Sequence, residues 1–194
     1  MHQTIAALVS SFALLVACGG QSLSKGAGTG SGVDAGRSEV RGSVNGVSLA
    51  SAYAIAVPDN SNAGSGPTFA STALILGIAN KPLACDTTGL PNSTLIGISI
   101  KLGGTAPVGP GSYAINIDPS SAYDNLADIV TTDSACTQSS PSDCIGGTLN
   151  ITAMTAALVV GSFTLTFATG DELVGDFSAP ICTSIPPAIH DAPC

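Results

Sequence analysis

Tryptophan is missing from the 194 residues, and aromatic side chains are scarce, with three tyrosines and five phenylalanines. Glycan recognition by exposed aromatic platforms therefore has little to work with. Cations are nearly as sparse: Lys25, Arg37, Arg41, Lys81 and Lys101 stand scattered against thirteen acidic residues, for a net charge of −8. No basic patch exists to meet a nucleic-acid backbone or an anionic lipid surface. Charged residues make up 9% of the chain, against about 25% in an average soluble domain. Ser, Thr, Gly and Ala take their place, which disfavours helices and favours strands and turns. Histidine occurs only as His2 and His190. With no CxxC, no histidine pairing and no Gly-x-Ser-x-Gly elbow, zinc sites and serine triads lack their usual frames. The sequence thus points away from an enzyme.

What is present is strand patterning. Val40, Gly42 and Val44 lead to Asn45-Gly46, a strong hairpin signal because a type I′ turn needs positive φ at both central residues. The return strand runs to Val57 before Pro58. Residues 72–79 form a continuous apolar run, suited to a strand covered on both faces. Ile96, Ile98, Ile100 and Leu102 alternate with Leu95, Gly97, Ser99 and Lys101, the period of a half-buried strand. Gly109-Pro110-Gly111 turns the chain into a strand over 112–117, and a short strand is expected near 128–131. Leu149, Ile151 and Ala153, then Phe163, Leu165 and Phe167, occupy odd positions, as do Leu173, Gly175, Phe177 and Ala179 beyond the turn at 168–171. With that turn, both aromatic-bearing faces fall on one side of a hairpin. The expected fold is all-β, an antiparallel β-sandwich of about eight or nine strands, with a jelly roll or up-and-down barrel as the alternative.

Residues 5–17 are an apolar run broken by Ser10 and Ser11, too short for the roughly 20 residues of a spanning helix but of signal-peptide length. The run ends in Leu15-Val16-Ala17-Cys18-Gly19-Gly20. This resembles the bacterial lipoprotein signal at each position of its four-residue core, although Met1-His2-Gln3-Thr4 lacks the usual leading cation. The resemblance implies cleavage before Cys18 and acylation of Cys18 by diacylglycerol and palmitate-type chains, which hold a protein to a membrane with about 0.8 kcal/mol per buried methylene. Gly19 in place of Asp implies sorting to the outer membrane. Seven glycines among residues 19–37 make a flexible tether, with a reach of about 25 Å. The expected organisation is a signal over 1–17, a lipidated Cys and tether over 18–37, a β-domain over 38–183 and a Pro-rich tail over 184–194.

With Cys18 taken by lipid, five of the six cysteines remain, and an exported chain forms disulfides. Cys136 and Cys144 bracket a polar loop and are expected to staple it. Cys85 and Cys182 each follow an apolar strand and are expected to bridge at long range, leaving Cys194 over; Cys182 with Cys194 is the rival pairing. In the irregular acidic stretch, Asp118, Asp124, Asp128 and Asp133 could supply the hard oxygens calcium takes, and Tyr123 is its one aromatic. No other cofactor is expected. His190-Asp191 in the tail and Asp171-Glu172 in a turn are read as solvated groups.

Gly-Ser-Val-Asn-Gly at 42–46, Gly-Pro-Gly-Ser-Tyr at 109–113, Gly-Thr-Leu-Asn-Ile-Thr at 147–152, Gly-Ser-Phe-Thr-Leu-Thr-Phe at 161–167 and Gly-Asp-Phe-Ser-Ala-Pro-Ile-Cys at 175–182 together are similar to envelope lipoproteins that form large paralogous sets in myxobacteria and related Gram-negative bacteria. That resemblance implies a sandwich and transfers no catalytic or ligand residue. The expected role is a lipid-anchored envelope protein acting in structure or protein interaction. The alternative is a calcium- or glycan-binding module at 118–143. The expected partners are the membrane, through the lipid, and an envelope protein or glycan, with no nucleic acid. The protein recovered from membranes and alkylated without reduction should show an intact mass that starts at Cys18, carries diacylglyceryl and includes one alkylated thiol. An unmodified chain retaining residues 1–17 would contradict the anchor.

Overall fold

The computed structural model describes residues 36–49, 52–58, 72–85, 87, 89–102, 106–116, 125–139 and 142–182. All regular structure among them is β. The strands are β1 (Gly36–Val44), β2 (Val47–Ser48), β3 (Ala52–Pro58), β4 (Ala73–Ala79), β5 (Thr94–Lys101), β6 (Gly111–Ile115), β7 (Leu126–Thr131), β8 (Ser142–Met154), β9 (Leu158–Phe167) and β10 (Glu172–Pro180). Each pairs antiparallel with its neighbour in the order β10-β9-β8-β7-β5-β4-β3-β1, and β10 returns to pair with β1. The eight-strand ring is closed. The expected sandwich therefore gives way to the up-and-down barrel. Alternating burial is common to both architectures, and what separates them is whether the first strand meets the last.

β1 makes that closure by dividing its partners. Gly36 to Ser38 lie opposite Ala54 to Ala52 on β3, whereas Glu39 to Gly42 lie opposite Asp176 to Leu173 on β10. Beyond the start of β1, β3 and β10 meet directly in a parallel bridge between Ala56 and Ile181. The chain then turns at Asn45 and Gly46, with φ of 52° and 78°, into the short return β2, as the Asn-Gly signal predicts.

One wall position is shared by two strands. β8 pairs through Ser142 and Asp143 with β7, and through Gly147 to Ile151 with β6. β6 and β7 both run antiparallel to β8, so they form one interrupted strand. Asn125 spans the junction: its side chain accepts from the Lys101 amide at 3.0 Å and donates to the Ala114 carbonyl at 3.0 Å.

The barrel interior is filled. Val40, Ala54, Leu76, Ile98, Leu149 and Leu165 point inward with the other alternate residues of their strands, forming one buried cluster. β9 and β10 contribute its bulk in a reciprocal pattern: Gly161 pairs with Phe177, and Phe163 with Gly175. A Cβ on Gly175 would sit 2.6 Å from the Phe163 ring, and one on Gly161 would sit 2.8 Å from the Phe177 ring and 2.2 Å from the Asn150 carbonyl. Each phenyl ring thus lies over a glycine of the facing strand. The expected common face of this hairpin, Phe163-Leu165-Phe167 with Leu173-Phe177-Ala179, is buried throughout.

A second, smaller cluster lies outside the ring. Ala79, Leu83, Leu90, Leu95 and Val130 pack together with Tyr53 and Ile55 against them. The β4–β5 connection supplies Leu83 and Leu90, so it lies over the outer wall as a strap. This explains why β4 reads as an uninterrupted apolar run: every residue but Ile75 is buried. Ser93 and Thr132 fasten one end of the strap. Their hydroxyls lie 2.9 Å apart, the Ser93 hydroxyl donates to the Leu90 carbonyl at 2.7 Å, and the Thr132 hydroxyl donates to the same oxygen.

Gly161→Ala should cost about 1–3 kcal/mol, the usual penalty for overpacking a tight core. Gly146→Ala, where an added Cβ meets nothing within 4 Å, should change stability by less than about 0.5 kcal/mol. Urea unfolding of the two variants checks the contrast, and equal costs would contradict it.

Candidate functional site

The acidic residues singled out from sequence do not converge. Asp118 and Asp124, together with Tyr123, lie outside the described residues. Asp133 is occupied by its own turn: Oδ1 accepts the amides of Ala135 and Thr137 at 2.8 and 2.9 Å. Such an Asx arrangement uses the carboxylate to organise local backbone. Asp128 sits apart, on the outer face of β7. Among the described residues, no group of three or more His, Cys, Asp and Glu is placed to hold a metal ion.

Asp171, in the β9–β10 turn, is also committed to structure. It accepts the Asn45 amide at 2.9 Å and the Thr169 hydroxyl at 2.8 Å. These bonds hold its carboxyl below the ordinary value, the Asn45 amide contributing most. Asn45 also donates to the Ser142 hydroxyl at 3.2 Å. Two hairpin turns and the start of β8 are thereby joined at one mouth of the barrel. His190 and Asp191 lie outside the described residues.

Tyr113 explains the Gly-Pro-Gly-Ser-Tyr motif. Its hydroxyl accepts the Gly109 amide at 3.1 Å and donates to the Gly109 carbonyl at 2.6 Å. The ring folds back across Gly111, whose absent Cβ would lie 3.6 Å from the hydroxyl. The motif closes a loop, and its tyrosine hydroxyl is occupied in doing so.

The cysteines sort differently from expectation. Cys85 and Cys182 are joined, with Cα atoms 5.3 Å apart at a sequence separation of 97, so the strap is pinned to the end of β10. Cys136 and Cys144 do not pair. Cys144 is a free, buried thiol, and Cys136 is disulfide-bonded to a residue outside the described ones. The physical reason is parity. β8 already begins at Ser142, and Cys144 falls on its inward face opposite Phe167. There its thiol donates to the Gly146 carbonyl at 2.8 Å. Burial pushes the thiol pKa up, away from thiolate chemistry. Cys18 and Cys194 lie outside the described residues.

Sequence reading missed one surface feature. On the outer wall of β8, β9, β10 and β1, a depression of about 380 Å³ is lined by Glu39, Thr152, Val160, Ser162, Asp176 and Ser178, among others. Glu39 and Asp176 are direct partners across the closing seam, although 137 positions separate them in the chain. Only closure brings them together, so no local motif could have revealed them. Glu39 is held in an ion pair with Arg41 at 2.8 Å, both side chains well exposed, an arrangement that contributes little to stability. The depression offers hydroxyls and one partly neutralised carboxylate pair, and the wall around it also exposes Ile145 and Val174.

No protein family, curated protein or solved structure matches the chain.

Cys144 should resist alkylation in the native protein and react at once when urea opens the barrel without reduction, as read by mass spectrometry. Rapid native labelling would mean that its side of β8 is not closed.

Proposed function

We propose that this chain is a lipid-anchored cell-envelope protein whose barrel is a scaffold for protein interaction or structure, without catalytic activity. The observation that carries the reading is Leu15-Val16-Ala17-Cys18 followed by a Gly- and Ser-rich tether that leads into β1. Two or three acyl chains on Cys18 would make attachment effectively permanent, and Gly19 favours the outer membrane. The filled barrel supports a scaffold role. In small barrels the interior is where a ligand is enclosed when one is bound, and here Phe163, Phe167, Leu149 and Leu165 occupy that space. What remains for recognition is the outer wall, which presents Thr, Ser and Asn side chains on β8 and β9.

Membrane fractionation tests the anchor. The wild-type chain should sediment with the outer membrane and resist salt and carbonate extraction, while Cys18→Ser should be released with an unchanged melting temperature. A soluble wild-type chain would overturn the anchor. A melting-temperature rise with calcium or a soluble glycan would overturn the scaffold in favour of a ligand-binding module.

A further inference from the structure

Among the described residues, β7 and β8 are joined by the register pairs Asp128 with Asp143 and Ile129 with Ser142. The hairpin continues in the Thr132–Gln138 bridge and the bond from the Ser139 amide to the Thr131 carbonyl. On the other side of these pairs β6 takes over the edge of β8 at Gly147. Ile129 faces the core, so the outward rung consists of two carboxylates. Directly opposed residues of an antiparallel pair share a face with Cβ atoms about 4.5–5.5 Å apart, where like charges destabilise.

The other side of Asp128 is shaped to receive it. Its β5 partner is Gly97, and Asp128 Oδ1 lies 2.7 Å from where a Gly97 Cβ would be. The carboxyl thus rests on the β5 backbone and accepts a hydrogen bond from it. Leu95 and Ser99 flank Gly97 on the outward file of β5, and Leu126 and Val130 flank Asp128 on β7; none of these is charged. Among the described residues, Asp143 on β8 is the charged group whose field acts on Asp128. Neither carboxylate forms an ion pair with a cation among the described residues.

We propose that Asp128 and Asp143 form a proton-operated latch on the β7–β8 seam: one proton held between the carboxyls draws the seam shut, and double ionisation makes it the place where the barrel opens. The environment supports this. Burial, the largest effect, pushes Asp128 up from 3.8 to about 6; the Gly97 backbone bond pulls the other way, and the Asp143 charge, smaller than either, adds to the rise. A carboxyl whose pKa is raised on folding binds its proton more tightly in the folded state. Its stabilisation is therefore complete below the ordinary value and is lost as pH rises through about 6. That is opposite in sign to the common salt-bridged carboxylate.

Hydrogen exchange of the full chain, corrected for intrinsic rates, tests the latch. Between pH 5 and pH 7.5, opening of residues 126–139 and 142–144 should increase on the order of tenfold, a decade for the roughly one pH unit between pH 5 and a midpoint of about 6. The 158–180 hairpin should change far less. Asp128→Asn, close to isosteric, should abolish the pH dependence, and Asp143→Asn should move its midpoint downward. Carboxyl carbon-13 titration of the unaltered protein gives an independent reading, with Asp128 expected to titrate near 6. An ordinary midpoint, uniform protection at both pH values, or pH dependence persisting in Asp128→Asn would overturn the proposal. Each condition is run in EDTA and in calcium; calcium closing the seam at pH 7.5 as a proton does at pH 5 would make the pair a cation site and overturn the latch.

Discussion

The reciprocal seating of Phe163 on Gly175 and Phe177 on Gly161 is the contact on which this barrel turns. A small eight-strand barrel has room for few large side chains, and aromatic rings on neighbouring strands would collide if each faced another bulky residue. Alternating ring and glycine lets both strands contribute large apolar area without widening the wall. The glycines matter equally on their backbone sides. The space where a Gly175 Cβ would sit is 2.8 Å from the Glu39 carbonyl, and that of a Gly42 Cβ is 2.1 Å from the Glu172 carbonyl. Those close approaches let β1 lie against β10, and so the ring closes. Gly42 adopts φ of +106°, a conformation that excludes most other residues.

Strand identity was largely legible in the sequence. Ile96, Ile98 and Ile100, and the run from Phe163 to Phe177, carry a two-residue period that survives any tertiary context because one face is dry. Closure was not legible, because Glu39 gives no local hint that it faces Asp176 rather than solvent at a sheet edge. The same limit governs the candidate residues. Asp128 and Asp143 are both conspicuous in an acidic stretch, but their opposition depends on a register set elsewhere in the wall. Cys144 shows how composition misleads: a Ser- and Pro-rich interval before it suggests a stapled loop, yet one position of strand parity sends its sulfur into the core.

The outside of the barrel has two characters. Over β3, β4, β5 and β7 the strap carrying Leu83 and Leu90 supplies a second apolar layer, so that β4 is covered on both faces without a second sheet. Over β8, β9, β10 and β1 no such second layer is present among the described residues; the wall is hydroxyl-rich, with Glu39 and Asp176 in its depression and Ile145 and Val174 exposed. The strap side is the more deeply buried of the two, with Tyr53, Ile55 and Ile75 left half-buried at its surface. The Cys85–Cys182 bond sits on the covered side and fixes the strap to the final strand.

The divided pairing of β1 has a mechanical consequence. Any pull arriving from residues before Gly36 enters the domain along the axis of β1. That strand is bonded to β3 through Ser38 and to β10 from Glu39 to Gly42, with its direction opposed to both. Force along it therefore loads the rungs in shear, where they share the load, instead of peeling them one at a time. A domain tethered at this point would stay folded under drag that would unzip a barrel held by a hairpin tip.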